Sequence, residues 1–413
     1  MAVTRPRHRV VVTGMGVVCP LGGSVAALAE GLFAGRSGIR TISVFDASTL
    51  PTRIAGESEL PPDAPLGDRK IAFAIEAARQ AMRAACARGG RPAIGRDAVV
   101  SMGVGLEFFS AQHLIDRRRP GFALPTSIEA RLSFLQTPSD LCVHLLAREH
   151  GLHAPPIVHV SACAAGADAI GHAYRLIASG RRRAALAGGT DSMVNPLGVA
   201  GFCALRATST RNDEPDRASR PFDGDRDGFV MGEGAGAIVL ERRDDALARG
   251  ATIHAEVSGF GSSLDAHGIS EPHPEGRGAA QAIRRAIDDA GLTPEDIGAI
   301  NAHGTGTPKN DPVETLAIKR VFGDRARSIP ISATKSMIGH LISAAGAVEA
   351  IAAILGLERQ AVHPTRNLEC PDPACDLDYV PGAARAHAHR HVLSTSYGFG
   401  GHNAAIILSR ADS

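Results

Sequence analysis

Four short segments carry residues able to do nucleophilic and proton chemistry. The first is Ser161-Ala162-Cys163-Ala164-Ala165-Gly166, a thiol between alanines where a strand pattern over 156–162 meets a small-residue helix pattern over 164–179, stopped by Gly180. A helix N-terminus offers unpaired N–H groups and partial positive charge, which lower a thiol pKa from about 8.5 and favour the nucleophilic thiolate. Small neighbours leave room for an acyl chain. Standing alone, such a cysteine more often only packs. The second segment, Asn301-Ala302-His303-Gly304-Thr305-Gly306-Thr307-Pro308, sets an imidazole at a strand end, with two hydroxyls two residues apart on a glycine-permitted loop. Such hydroxyls can hold an amide-bearing ligand arm, and the histidine can give or take a proton. The loop lacks the length and the Lys-Ser/Thr ending of a phosphate-binding loop.

The third segment, Lys335-Ser336-Met337-Ile338-Gly339-His340, follows a strand pattern over 329–333 and opens a small-residue helix pattern over 336–357. Glu349 lies fourteen residues after Lys335, about four helical turns on, so the spacing predicts that the two act separately. The fourth, Ser394-Thr395-Ser396-Tyr397-Gly398-Phe399-Gly400-Gly401-His402-Asn403, is a glycine-dense turn ahead of a terminal strand over 404–408. Its backbone N–H groups can form an oxyanion hole. In His387-Ala-His389-Arg-His391 the imidazoles alternate and share one face of a strand, which is favoured as a solvated edge over a metal site.

These segments need a scaffold. Short β-rich runs alternate with longer Ala/Leu/Ile helical patterns, the order of an α/β protein built from crossover units. Residues 10–16 read as a strand running into a glycine turn, 72–86 as an alanine-rich helix and 99–105 as the next strand and turn. Gly14-Met-Gly16 and Gly232-Glu-Gly-Ala-Gly236 miss the complete dinucleotide-binding glycine pattern. Two echoes point to duplication: the strand, turn and helix around Cys163 resemble those over 329–357, and 10–16 resembles 254–261, each strand ending in Gly-x-Gly. The 413 residues, 44% hydrophobic and including 46 glycines, can bury a large core as two or three domains or one duplicated unit. A net charge of +1 and an aromatic content of 4% without tryptophan supply neither the field nor the stacking platforms that nucleic-acid binding uses. No run of about 18 apolar residues predicts a membrane span. Seven scattered cysteines, Cys370 and Cys375 among them, argue against a disulfide framework and for a reducing cytoplasm. The basic run Asp116-Arg-Arg-Arg119 reads as a solvated loop.

Together the four segments, with Ser209-Thr-Arg-Asn212 and the glycine-rich stretch 218–236, resemble the β-ketoacyl-acyl carrier protein synthases of the thiolase-like superfamily over nearly the whole chain. The resemblance implies an α/β fold of duplicated αβαβα layers, with a half over 1–252 carrying the cysteine and a half over 253–413 carrying the histidines and lysine. It implies a Cys163, His303 and His340 triad, with Lys335 tuning the site and orienting His303, and Glu349 buried in support. Phe399 falls on the gate, and its N–H with that of Cys163 would form the oxyanion hole. Thr305 and Thr307 are expected on the pantetheine arm. Asn301, Glu349, Ser394 and Thr395 would surround a structural monovalent cation, although threonine stands where the family often has asparagine. No other cofactor is expected.

The implied reaction is a decarboxylative Claisen condensation. Cys163 takes an acyl group from a carrier-bound thioester, and neutral His303 and His340 stabilise the enolate that malonyl-carrier protein forms on losing CO2. Expected partners are acidic carrier proteins, docking on Arg206, Arg211, Arg69 and Lys70, and an identical or related ketosynthase-like subunit. Neither nucleic acid nor membrane is expected. A non-catalytic partner subunit of the chain-length-factor type is the other class, and Cys163 with both histidines argues against it. Asp265-Ala266-His267-Gly268 carries a smaller residue than housekeeping enzymes do, and 110–140 fits the family's dimer-contact region poorly. The pathway therefore stays open between fatty acid synthesis and a specialised polyketide or polyene.

Overall fold

In the computed structural model, which describes residues 7–61, 68–86, 94–105 and 138–411, ten strands form one mixed sheet. In chain order they are β1 (Val10–Val18), β2 (Val99–Val104), β3 (Ile157–His159), β4 (Ala184–Asp191), β5 (Gly234–Arg242), β6 (Ala255–Leu264), β7 (Ala299–Asn301), β8 (Ile331–Ser332), β9 (His391–Gly398) and β10 (His402–Ser409). Their order across the sheet is β8-β7-β9-β10-β6-β1-β5-β4-β2-β3. Outward from the central β6–β1 pair, each side runs through its own first, fifth, fourth, second and third strand. The sheet is one five-stranded pattern used twice. The basic run at 116–119 and most of 110–140 lie outside the described residues.

The Gly-x-Gly pairs explain how each half takes its outer helix. The turn expected at Gly14–Gly16 is absent: β1 continues to Val18 with every residue buried, and only a register shift against β5 marks the interval from Val12 to Gly14. A Cβ at Gly14 would lie 2.1 Å from Ala81 O, and one at Gly16 would lie 2.0 Å from Ala77 O. Both carbonyls belong to helix α1 (Arg69–Ala85), which therefore rests its backbone directly on the strand. The second half repeats the device. Gly259 and Gly261 of β6 meet Ala286 O and Ala282 O of α3 (Arg277–Asp289), after α2 (Ala165–Ala178) in chain order.

Two further helices lie between the halves, α2 and α5 (Ala345–Arg359), with α4 (Asn310–Phe322) packed outside beside α3. Every residue from Ala345 to Leu357 is buried, which is why this helix is built from alanine, glycine and aliphatics on all faces. The two central helices touch through reciprocal glycines: a Cβ at Gly166 would lie 2.9 Å from Ala347 N, and one at Gly346 would lie 2.7 Å from Ala167 N.

The continuous helix expected over 336–357 is broken into three pieces. A single turn, Lys335–Ile338, ends at Gly339 with φ +72°, a conformation that favours glycine. His340 then bridges to the segment at Val230–Met231, its backbone N–H donating to Val230 O at 2.7 Å, before a 3-10 turn over Ile342–Ala344 leads into α5. That turn has a twin at Ala162–Ala164, which leads into α2. Ala162 and Ile342 both hold positive φ, at +49° and +44°, so Cys163 of the first elbow matches Ser343 of the second. The amide of Ser343 donates to Asp191 Oδ2 at 3.1 Å.

Candidate active site

At the first elbow, Ala162 holds an αL backbone that non-glycine residues seldom adopt, a local strain of about 1 kcal/mol or more. It places Cys163 at the mouth of α2 with the thiol buried and two amides, its own and that of Phe399, directed at the sulfur. The second amide arrives because Gly398 has no side chain: a Cβ there would lie 2.7 Å from Ser161 O and 3.2 Å from Cys163 N. Only Phe399–Gly401 form the expected turn, since Ser394, Thr395, Ser396 and Tyr397 belong to β9. The turn is pinned from outside, with Gly400 N donating to Ile269 O at 2.6 Å and Asp265 N to Gly401 O at 2.8 Å. The depressed thiol pKa expected at a helix start is not found. Burial pushes the Cys163 thiol up to about 12, against the opposing pull of Lys335 and the Phe399 amide.

His303 follows β7 on a loop whose amides are fastened by acids of α4. His303 N and Gly304 N donate to the two oxygens of Glu314, each at 2.8 Å, and Gly306 N donates to Asp311 Oδ1 at 3.2 Å. Thr395 Oγ1 donates to Glu314 Oε1 at 3.0 Å and accepts from His303 N at 3.1 Å. Glu314 and Asp311 were not singled out from the sequence. The signal was present in acids in the first two turns of a helix, Asp311 and Glu314, directly after a glycine loop whose amides needed acceptors.

Both imidazoles have their Nδ1 occupied. The Lys335 ammonium donates to His303 Nδ1 at 3.2 Å, and Ile342 N donates to His340 Nδ1 at 3.2 Å. The proton of each neutral ring is thereby assigned to Nε2. Burial first, and the Lys335 charge second, hold both rings well below the usual histidine range. They stand at 85° with centroids 5.3 Å apart.

Lys335 and Glu349 do not act separately. Because the chain breaks at Gly339 and folds back, the buried Lys335 ammonium pairs directly with Glu349 Oε1. Burial pushes Glu349 up to about 7, and Lys335 pulls the other way. Glu349 Oε2 and Asn301 Oδ1 are buried with no hydrogen-bond partner.

Cys163, His303, His340, Phe399, Thr305 and Thr307 line one cavity of about 230 Å³, with Phe202 and Phe229 on its wall. The Thr305 and Thr307 hydroxyls lie 3.0 Å apart. Of the basic residues expected to dock a carrier, exposed Arg206 lines this cavity. Arg211 stands back and donates to Asp225 O at 2.8 Å. Arg69 and Lys70 stand away from the cavity and are engaged elsewhere: Arg69 pairs with buried Glu233, and Lys70 is 4% exposed and paired with Asp68 at 2.8 Å. The three alternating imidazoles also have other partners, His387 Nε2 with Gly298 O at 2.9 Å, His389 Nδ1 with His387 O and His391 Nδ1 with Ser409 Oγ, both at 2.7 Å.

The family model described as "Beta-ketoacyl synthase, N-terminal domain" matches residues 7–246, and "Beta-ketoacyl synthase, C-terminal domain" matches residues 254–369. Among curated relatives, the 3-oxoacyl-[acyl-carrier-protein] synthase 2 of Coxiella burnetii is 43% identical, over 98% of this chain and 99% of that one. The tetracenomycin polyketide synthase ketoacyl synthase alpha subunit of Streptomyces glaucescens is 40% identical over 97% of each. A solved type II polyketide synthase acyl-carrier protein complex with its ketosynthase bound to the hexaketide superposes with a TM-score of 0.87 at 31% identity, covering 98% of this chain and 100% of that one.

Proposed function

The chain belongs to the β-ketoacyl synthase family and is an acyltransferase-class condensing enzyme, and on that premise we propose that Cys163 is its acyl acceptor and that His303 and His340 serve its decarboxylation half-reaction. One observation carries the assignment: a single cavity is lined by the thiol and by two imidazoles whose Nδ1 atoms are both occupied. Their Nε2–H groups are then donors at neutral pH.

Cys163 Sγ attacks the acyl thioester of a carrier-bound phosphopantetheine arm. The S–C bond to the enzyme forms, the bond to pantetheine breaks, and the thiol proton ends on the departing pantetheine sulfur. The developing oxyanion meets the amides of Cys163 and Phe399, donors of a kind worth about 3 kcal/mol each. Malonyl-carrier protein then takes the place of the first carrier, its arm passing Thr305 and Thr307. Loss of CO2 leaves an enolate whose oxygen accepts from His303 and His340, and its carbon attacks the acyl-cysteine carbonyl. The new C–C bond expels Cys163 as thiolate, which regains a proton from solvent, and the β-ketoacyl product leaves on the carrier. Lys335 acts through His303 by holding its Nδ1.

The unpartnered oxygens of Asn301 and Glu349 are hard donors suited to a structural monovalent cation, whose charge would offset that of Glu349. Thr395 Oγ1 is already committed to Glu314, and Ser394 completes the neighbouring strand position. A second copy of this chain or a related subunit would extend the sheet at β3, an edge strand next to Val160, which is 67% exposed. Light scattering that finds a monomer at micromolar concentration would refute this. The seven unpaired cysteines support a reducing, cytoplasmic setting, and no helix among the described residues is long and apolar enough to cross a membrane.

The test is intact-protein mass after incubation with acyl-carrier protein. An acyl adduct on the wild type that disappears in Cys163→Ala is expected. An unmodified wild type, or an undiminished adduct in the variant, sinks the assignment. Malonyl-carrier protein added to the adduct, with products identified by mass across a panel of acyl groups, reads out the substrate class.

A further inference from the structure

The cavity that leads to Cys163 has an ion pair on its rim. Glu271 comes from the loop after β6, the same loop that pins the Phe399 turn, and Lys309 comes from the loop that carries Thr305 and Thr307 into α4. Both residues line the cavity, and their side chains pair while remaining 52% and 65% exposed. The pair therefore joins two loops that a substrate arm must pass.

The chemistry of the arm says what should meet it there. A phosphopantetheine arm carries its thioester at one end and its phosphodiester at the other. With the thioester at buried Cys163 and the amides beside Thr305 and Thr307, the phosphodiester falls at the rim. Lys309 is two residues beyond Thr307 in the outward direction of that loop. We propose that Lys309 is the residue that recognises the arm's phosphate, and that Glu271 holds its ammonium at the rim and gives it up when the arm enters. This rests on the reading of Cys163 as acyl acceptor and of the two threonines as arm contacts.

The exchange is physically easy. An exposed Lys–Glu pair is weak in water, since solvent screens it and two long side chains lose freedom to make it. A phosphodiester offers charged oxygens to an ammonium that has three donors and a flexible stem. Glu271 keeps Lys309 from sampling other positions and also repels an anion that arrives when the lysine is absent. The two residues of one ion pair should therefore act in opposite directions on the same ligand, which a merely structural pair would not do.

Two small donors separate the phosphate from everything else: an acyl-S-phosphopantetheine and the same acyl-S-pantetheine without phosphate. The readout is the ratio of KM without phosphate to KM with phosphate for acylation of Cys163, at low and at physiological salt. The wild type is expected to prefer the phosphorylated donor. Lys309→Gln should reduce that preference about five-fold, and Glu271→Gln should increase it, most clearly at low salt. An unchanged ratio in Lys309→Gln, or a fall in Glu271→Gln like that in Lys309→Gln, overturns the proposal. If neither donor acylates the wild type while the protein remains folded by circular dichroism, the reading beneath it fails and takes the proposal with it.

Discussion

A lysine and a glutamate buried together beneath the histidines set the chemistry of single residues in this site. Lys335 is 1% exposed and Glu349 is fully buried, so removing either charge leaves the other without solvent or partner. Breaking such a pair costs about 3–5 kcal/mol. The carboxyl is already pushed up to about 7 by burial. Its folded pKa lies above its unfolded one, so its contribution to stability is present below the ordinary carboxylate range and lost as pH rises through 7. Lys335→Met should therefore lose most stability at alkaline pH, with a melting-temperature deficit that grows between pH 6 and 8.5. Lys335→Met combined with Glu349→Gln should recover much of the melting temperature and abolish that growth, yet leave malonyl decarboxylation at least 100-fold down, because His303 Nδ1 stays without its donor. A double variant that recovered activity along with stability would contradict the role given to Lys335.

At the level of elements, glycines set the distance between layers. Gly261 lies 2.1 Å, by its absent Cβ, from a helix carbonyl that has no side chain to move aside. Gly261→Ala should cost about 3 kcal/mol or more, read as a shifted urea midpoint. Gly201→Ala, with nothing within 4 Å and a helical position in Pro196–Ala204, should be neutral or slightly stabilising. An equal loss in both would mean that packing distance is not what these positions protect. The alternation of strands and helices, the duplication and, on the cavity wall, Cys163, His303, Thr305, Thr307, His340 and Phe399 were legible from pattern and motif, whereas Phe202, Glu271 and Lys309 lie outside any motif and reach the cavity only through the fold. The strand through Gly14 and Gly16 was not, since the same Gly-x-Gly pattern marks a turn or a helix seat and only the partner helix decides which. The Lys335–Glu349 contact was hidden by a small-residue run that reads as one helix, although Gly339 breaks it with a left-handed backbone. Arg69 read as surface because charge alone does not reveal a buried acid such as Glu233, which arrives from 164 residues away.

Across the whole molecule, burial shifts several ionisable groups toward their neutral forms, with opposing consequences. Burial raises Asp191 to about 6 and Glu349 to about 7, which favours folding as pH falls. Burial depresses His363 to about 4, and its Nε2 lies 3.1 Å from Thr334 Oγ1. The unfolded chain takes up the histidine proton first, so this group's contribution is lost as pH falls from about 6.5 to 4. The stability difference between the wild type and His363→Gln should therefore narrow through that window, by at most about 1.4 kcal/mol per pH unit. A difference that stays constant or widens would show that His363 is not held neutral. The doubled elbow bears on something simpler, the number of equivalents a chain can take. The molecule has two nucleophile-bearing turns of the same shape, but Ser343 stands in the second and its amide is already engaged by the Asp191 carboxylate. An oxyanion arriving there would find its donor taken and a negative charge in its place. Titration with an acyl donor should accordingly saturate at one acyl group per chain.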